Sequence, residues 1–218
     1  MNKLYQNISV IAKRLGAEKI VLFGSRARGD NRERSDIDIA VYGVPEDKQS
    51  LFRFEIDNLP TLLDFDIVFV TPDTDPALLK NIEKDGKIIM SKFSEKFDKF
   101  ISAVSRLEEA INDYETVKLA SVRDGVIQRF EFCTELAWKT VREYLSEQGY
   151  ADINSPKAVM KTAFSDGLLN NEQGWLDILE SRNITSHVYD EKTAEEIFKN
   201  IKNTYINLFR DLIAKLKI

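Results

Sequence analysis

Residues 21–43 read VLFGSRARGDNRERSDIDIAVYG, and this stretch decides the fold of the first part of the chain. It contains two short apolar runs, and Gly24 ends the first of them. The second run alternates carboxylates with isoleucines, a pattern that indicates a strand with one buried face. The stretch therefore predicts two strands joined by a polar loop that carries four arginines.

Helix-like and strand-like segments alternate on both sides of this stretch. Apolar residues recur at helical spacing before it, up to Gly16, and FDIVFV at 65–70 predicts a third strand. Asp75 followed by Pro76 is typical of a helix start. The sequence predicts an α/β unit over 1–92, with a small mixed sheet of three strands flanked by helices.

Beyond this unit the sequence needs no strand. Residues 93–218 carry long amphipathic helical patterns, and Ser155 with Pro156 is typical of one helix start. Thr193 and Glu196 predict a capping box for the last helix. Because the loops between these patterns are short, we expect an all-α antiparallel bundle as a second domain over 93–218.

Composition narrows the classes of function. The formal net charge is −5, and neither half is a basic nucleic-acid-binding module by bulk charge, although local arginine clusters could hold phosphates. The single cysteine, Cys133, cannot form an intrachain disulfide, which suits a reducing compartment. The N-terminal pattern is an amphipathic helix rather than a signal peptide, and no apolar run has the length of a membrane span. We expect a cytoplasmic protein that does not contact membranes.

Carboxylates on neighbouring strands predict a metal site. Alternation along a strand places Asp36 and Asp38 on one face. Mg²⁺ prefers oxygen ligands, and two such ions can assist nucleotidyl transfer. A third carboxylate is expected from the next strand, where Asp64 and Asp66 share a face. We favour Asp66, because a charge inside an apolar run is costly unless a metal ion compensates it.

The turn before these aspartates predicts a grip for a triphosphate. Gly24 allows the chain to turn tightly after the first strand. Ser25 then opens a helix whose N–H groups and hydroxyl can hold phosphates, and Arg26 adds positive charge beside it. The alternative is an ordinary turn followed by a solvated loop. The conjunction of turn and carboxylates favours a phosphate-handling site.

Gly24-Ser25, ten residues, then Asp36-x-Asp38 resembles the signature of the minimal nucleotidyltransferases of the DNA polymerase β superfamily. GSRARG followed by SDIDIAV is similar in particular to the MntA-type antitoxins. The resemblance covers about residues 1–90. It implies Asp36 and Asp38 as metal ligands, Asp66 as third carboxylate and base, Gly24 and Ser25 as the triphosphate grip, and ATP as substrate.

A second constellation, SRNITSHVYD at 181–190, contains the only histidine of the chain. His187 could act as general acid or base in RNA cleavage, and Arg182 could stabilise the phosphorane charge. Five residues on an ideal helix separate directions by about 140°, so these two side chains would not share a face. Either the helix loosens at residues 184–186, or the site forms between two protomers. The plain alternative is a histidine that caps its helix.

Arg182-Asn183-x3-His187-x-Tyr189 resembles the Arg-x4-His-x-Tyr motif of HEPN-domain proteins of the HepT type. The resemblance implies an RNase site across a homodimer, which is silenced when the nucleotidyltransferase transfers AMP to Tyr189. The partners so implied are the chain's own or a partner copy's helical domain, and RNA. Two other readings stay open: the helical half binds a small-molecule acceptor, or it serves dimerisation only.

Overall fold

The structure is a computed structural model that describes residues 3–185 and 190–217. The chain divides into two compact units, Met1–Lys92 and Phe93–Ile218. None of the helices in the described ranges has the length and apolar character to cross a membrane.

The first unit is an α/β layer structure. Its strands are β1 (Lys19–Phe23), β2 (Ile37–Tyr42), β3 (Phe65–Val70) and β4 (Lys87–Ser91). Its helices are α1 (Lys3–Leu15), α2 (Gly24–Arg28), α3 (Glu46–Asp57) and α4 (Pro76–Asp85). The strand order is β3-β2-β1-β4, with β2 and β3 parallel and the other pairs antiparallel, so the sheet is mixed.

Apolar side chains cover both faces of the sheet. On one face, Ile20 and Ile39 pack in a core that includes residues of α1 and α3, and both are fully buried. On the other face, Val21 and Ala40 pack with Ile82 of α4. Burial on both faces explains why β1 reads as a continuous apolar run rather than an alternating one.

The prediction of three strands was wrong, because β4 adds a fourth. Met90 of β4 pairs with Ile20, and a register shift between Ile20 and Val21 marks an irregularity in the ladder. The residues of β4 run directly into the next helix, α5, which begins at Lys92. No Gly or Pro separates the two elements, so the sequence offered no boundary there.

The second unit is helical. Its elements are α5 (Lys92–Val117), α6 (Ala120–Glu147), α7 (Pro156–Ser165), α8 (Glu172–Thr185), α9 (Glu191–Asn200), a π-helical segment (Ile201–Tyr205) and α10 (Ile206–Leu216). Ion pairs join Glu108 to Arg210 and Glu115 to Lys202, so α5 runs antiparallel to the last helical stretch. Aromatic rings fill its core, where Phe130 and Phe209 are fully buried.

Helix caps agree with the sequence at two positions and differ at a third. Asp75 and Ser155 each accept a hydrogen bond from the first turn that follows, as predicted. The capping box at Thr193 was wrong, because α9 begins at Glu191 and the Asp190 side chain accepts the Thr193 N–H at 2.9 Å. Aspartate is as effective a cap as serine or threonine, so the earlier residue takes the role.

Cys133 lies in the core of the second unit and is fully buried. Burial raises the pKa of its thiol to about 12. We expect no reaction of the native protein with a disulfide reagent at pH 8, and reaction of one thiol per chain in guanidinium chloride, because the thiolate is the reactive species. Absorbance of the released thiol measures this. Rapid labelling of the native protein would contradict the burial of this side chain.

Candidate active site

The three strands β1, β2 and β3 bring two carboxylates together. Asp38 is the second residue of β2, paired with Phe23 of β1 on one side and with Asp66 of β3 on the other. Directly paired residues lie on the same face of a sheet, about 4.8 Å apart along the hydrogen-bonding direction. Asp38 and Asp66 are therefore neighbours, although they are 28 positions apart in the sequence.

Negative charge concentrates around Asp38. Burial raises the pKa of the Asp38 carboxyl above its usual value, and the charges of Asp66 and Asp36 raise it further. Arg28 and Arg26 act in the opposite direction but do not cancel the effect. Such a site disfavours the charged form of its own carboxyl groups unless a cation compensates the negative charge. Carboxylate oxygens are ligands that Mg²⁺ prefers. The donor chemistry thus fits a magnesium ion.

The Asp36 carboxylate does not yet complete a three-carboxylate site with Asp38 and Asp66 in the structure. Within the described residues, no three acidic, histidine or cysteine side chains converge closely enough to hold a metal ion. Asp36 precedes β2 and is exposed, so its side chain can change rotamer without disturbing a packed core. A change between staggered rotamers of an exposed side chain costs little free energy.

The choice between Asp64 and Asp66 rested on burial, and that reason was wrong, because the Asp66 side chain is exposed. The strand register gives a different reason. Asp66 is the residue paired with Asp38, and its charge acts on the Asp38 carboxyl. Asp64 lies before β3, where its main-chain carbonyl accepts the Ile37 N–H at 2.9 Å. Position therefore favours Asp66.

Gly24 is required by its contact with Asp38 as well as by its backbone. Its φ is +68°, a left-handed value that side chains other than glycine rarely adopt. A methyl group at this position would overlap the nearest carboxylate oxygen of Asp38 and lie 2.8 Å from its carboxyl carbon. Only glycine lets the Asp38 carboxylate lie against the turn. Ser25, half-buried, follows in the first turn of α2.

Arg26 has a role that the sequence did not indicate. Its Nε donates to the carbonyl oxygens of Ser35 at 2.9 Å and Asp36 at 3.1 Å. Its Nη2 donates to the carbonyl oxygens of Ser35 at 2.6 Å and Glu33 at 3.2 Å. The guanidinium group thus binds the loop that leads into β2.

The second constellation is described only in part. Arg182 lies in the last turn of α8, with its Nε 3.2 Å from a carboxylate oxygen of Glu135 on α6. One residue earlier, the Ser181 hydroxyl is 2.8 Å from the hydroxyl of Tyr205 in the π-helical segment, and both residues are buried. These contacts fix the end of α8. His187 and Tyr189, predicted as catalytic residue and acceptor, lie outside the described residues.

Glu135 was missed by the sequence analysis, since nothing in its spacing links it to Arg182. It accepts a hydrogen bond from Trp138 Nε1 at 3.2 Å, and one of its oxygens lies 3.1 Å from Lys139 Nζ. Burial alone would raise the pKa of Glu135, but the hydrogen bonds from Lys139 and Trp138 and the charges of Lys139 and Arg182 outweigh it, and the pKa is lowered. Glu135 is therefore ionised at neutral pH and forms an ion pair with Arg182.

A cleft of about 680 Å³ opens beside this cluster. Its lining includes Trp138, Glu135, Lys157, Glu180 and Arg182. Its volume falls within the range of small-molecule sites, although its lining is more polar than that of most such sites.

Comparison with protein families gives two matches that together span nearly all of the chain. The family described as "Nucleotidyltransferase substrate binding protein like" matches residues 95–218. The family described as "Polymerase beta, Nucleotidyltransferase" matches residues 6–95. The first match falls on the helical unit, and the second falls on the α/β unit and its first following residues.

Individual proteins match part of the chain. A "Probable ribonuclease HepT" from Haemophilus influenzae is 33% identical over 86 residues, which are 38% of this chain and 59% of that relative. A Haemophilus influenzae structure, titled as revealing the fold of a substrate binding domain of a nucleotidyltransferase, has a TM-score of 0.51 and 22% identity, covering 56% of this chain and 99% of that one. A Thermus thermophilus structure has a TM-score of 0.49 and 30% identity, covering 55% and 99%. The structure with the TM-score of 0.51 shows a shared fold over 56% of this chain.

Proposed function

The chain belongs to the nucleotidyltransferase substrate binding protein like family, with a polymerase β-type nucleotidyltransferase domain ahead of it, and on that premise we propose that it transfers AMP from ATP to a protein tyrosine. The proposed acceptor is Tyr189, in the same chain or in a partner copy. The observation that carries the proposal is the pairing of Asp38 with Asp66 beside Gly24. ATP and the tyrosine acceptor come from the resemblance to the MntA and HepT types.

The proposed reaction uses this chain's residues as follows. Asp36, Asp38 and Asp66 would hold two Mg²⁺ ions. When bound, these ions would neutralise the charge of the triphosphate and favour ionisation of the attacking hydroxyl. Asp66 accepts the proton of the tyrosine hydroxyl. A bond forms between the tyrosine oxygen and the α-phosphorus, while the bond from that phosphorus to the β-bridging oxygen breaks, and pyrophosphate leaves. The Ser25 hydroxyl donates a hydrogen bond to a phosphate oxygen.

The helical unit would supply a second activity. His187 would act as general acid or base in RNA cleavage, and Arg182, which is ion-paired with Glu135, would stabilise the charge on the phosphorane. The likeness to a ribonuclease HepT supports this proposal. AMP on Tyr189, two residues from His187, would block that site. The two activities would then form a self-neutralising toxin–antitoxin fusion that acts as a homodimer through its helical unit.

Peptide mapping tests the acceptor. Trypsin should release residues 183–192, NITSHVYDEK, which carry three hydroxyl groups, those of Thr185, Ser186 and Tyr189. After incubation with ATP and Mg²⁺, we expect one AMP on the tyrosine, located by tandem mass spectrometry. AMP on another residue would support the proposed transferase activity but would contradict Tyr189 as its acceptor.

The nuclease is tested in the full chain with Asp38→Asn, which cannot silence itself. This variant should degrade RNA, and adding His187→Ala should abolish the cleavage, about a hundredfold or more, because general acid–base catalysis contributes that much. Gel electrophoresis of a labelled RNA measures both. Equal degradation by the two variants would assign the cleavage to a contaminant and end the nuclease proposal.

The cleft beside Trp138 favours a second candidate, in which the helical unit binds a small molecule that bears the acceptor hydroxyl. This candidate predicts pyrophosphate release only when such an acceptor is added. Tyr189→Phe would leave that release unchanged, whereas Trp138→Ala would raise the acceptor KM about tenfold through lost contact area. Pyrophosphate release without any added acceptor favours the tyrosine instead.

A further inference from the structure

The carboxylates of the proposed site are not held equally firmly. Asp38 lies inside β2, with strands paired on both sides of it. Asp36 lies outside the strand, after a loop whose residues 32–34 are exposed. The peptide group that joins Asp36 to Ile37 is held on its strand side, because the Ile37 N–H donates to the Asp64 carbonyl oxygen. On its loop side, the place of Asp36 depends on what fixes the end of the loop.

We infer that Arg26 is a positioning residue, which fixes the main chain at Asp36 so that this carboxylate stays within reach of the ion held at Asp38. The inference rests on the proposed function. Arg26 belongs to α2, which follows β1 directly and is therefore anchored to the sheet. Its four hydrogen bonds reach three carbonyl oxygens of the loop, those of Glu33, Ser35 and Asp36.

Arginine suits this task better than lysine does. The planar guanidinium directs several N–H groups in fixed directions, here from two nitrogens to three carbonyl oxygens, whereas a lysine has one nitrogen. A short turn within the loop, in which Arg32 N donates to Ser35 Oγ at 3.0 Å, gives Ser35 a defined carbonyl direction. Residues that orient metal ligands typically change metal affinity 10–100-fold when they are replaced.

Charge and position predict opposite signs for the loss of Arg26. By Coulomb interaction alone, removing a cation near the site should strengthen the binding of a divalent ion. If Arg26 acts by holding Asp36, its removal should weaken that binding. A matched control is available in Arg34, an exposed arginine two residues before Asp36.

The test is a double-mutant cycle in the full chain, read as the affinity for Mn²⁺ without nucleotide, by electron paramagnetic resonance of the free ion. We expect Arg26→Gln to weaken Mn²⁺ binding about tenfold, and Arg34→Gln to leave it unchanged or tighten it slightly. In the Asp36→Asn background, Arg26→Gln should change the affinity less than about twofold. Arg26→Lys should restore part of the loss.

Three results would overturn the inference: an unchanged affinity in Arg26→Gln, a tighter one, or an equal loss with and without Asp36. Failure of the proposed function looks different, because Asp36→Asn and Asp38→Asn would then bind Mn²⁺ as the wild type does. Melting temperatures of all variants show whether a loss of affinity reflects unfolding. If Arg26→Gln is unfolded at the assay temperature, the Mn²⁺ affinity of Arg26→Lys is compared with that of the wild type instead.

Discussion

Asp38→Asn should lower the rate of nucleotide transfer at least about a thousandfold, which corresponds to about 4 kcal/mol of lost transition-state stabilisation. The amide keeps the shape of the carboxylate but removes the negative charge that would hold the proposed cation at Asp38, which is paired with β1 and β3. Release of pyrophosphate from ATP measures the rate. The matched control is Asp64→Asn, which we expect to stay within about twofold of the wild type, because Asp64 lies before β3 and outside the carboxylate pair.

The same substitution should not destabilise the metal-free protein. Burial, and then the neighbouring aspartates, raise the pKa of Asp38, so its charged form opposes folding at neutral pH. For a carboxyl with a raised pKa, stability increases as pH falls through that pKa. An uncharged amide removes the penalty at neutral pH, and the melting temperature should be equal or higher. A lower melting temperature with residual activity would mean that Asp38 is a structural residue.

Gly24→Ala should lower the transfer rate about a hundredfold or more. The added methyl group collides with the carboxylate of Asp38, which must move away from its place beside Asp66. It also forces alanine into a left-handed conformation, at a cost of about 1–2 kcal/mol. Gly29→Ala separates the two effects, because Gly29 has a φ of +84° and nothing within 4 Å of the added methyl. We expect it to lose stability and keep most of its activity.

Equal activity losses in the two glycine variants would contradict this account. The loss would then arise from backbone strain in the turn and not from displacement of Asp38. Thermal melting and pyrophosphate release on the same samples distinguish the two explanations.

Strands β1, β2 and β3 were predictable because each follows from a local pattern. Alternation in DIDIAV fixed which side chains are buried, and Ile37 and Ile39 are indeed buried on the face away from the site. The pairing of Asp38 with Asp66 needed a register that only the folded sheet supplies. The preference for Asp66 was reached from burial, which the structure contradicts, whereas the register offers a sound reason.

Other features could not be read from the sequence for physical reasons. The fourth strand merges into α5 without a turn residue, so its pattern has no boundary. That Arg26 binds nucleotide stays a prediction. Its hydrogen bonds to main-chain carbonyls could not be read from the sequence, because such contacts carry no sequence signal. Glu135 contacts Arg182 across two helices, and such contacts depend on packing alone.

The intact mass of the full chain, measured after incubation with ATP and Mg²⁺, tests the central claim most directly. The starting protein is first shown to be unmodified. We expect the mass to increase by one or more AMP units, and the increase to be absent in Asp38→Asn and in Tyr189→Phe. Asp64→Asn, the matched control, should be modified like the wild type. An unchanged mass of the wild-type protein would contradict the claim that this chain adenylylates itself.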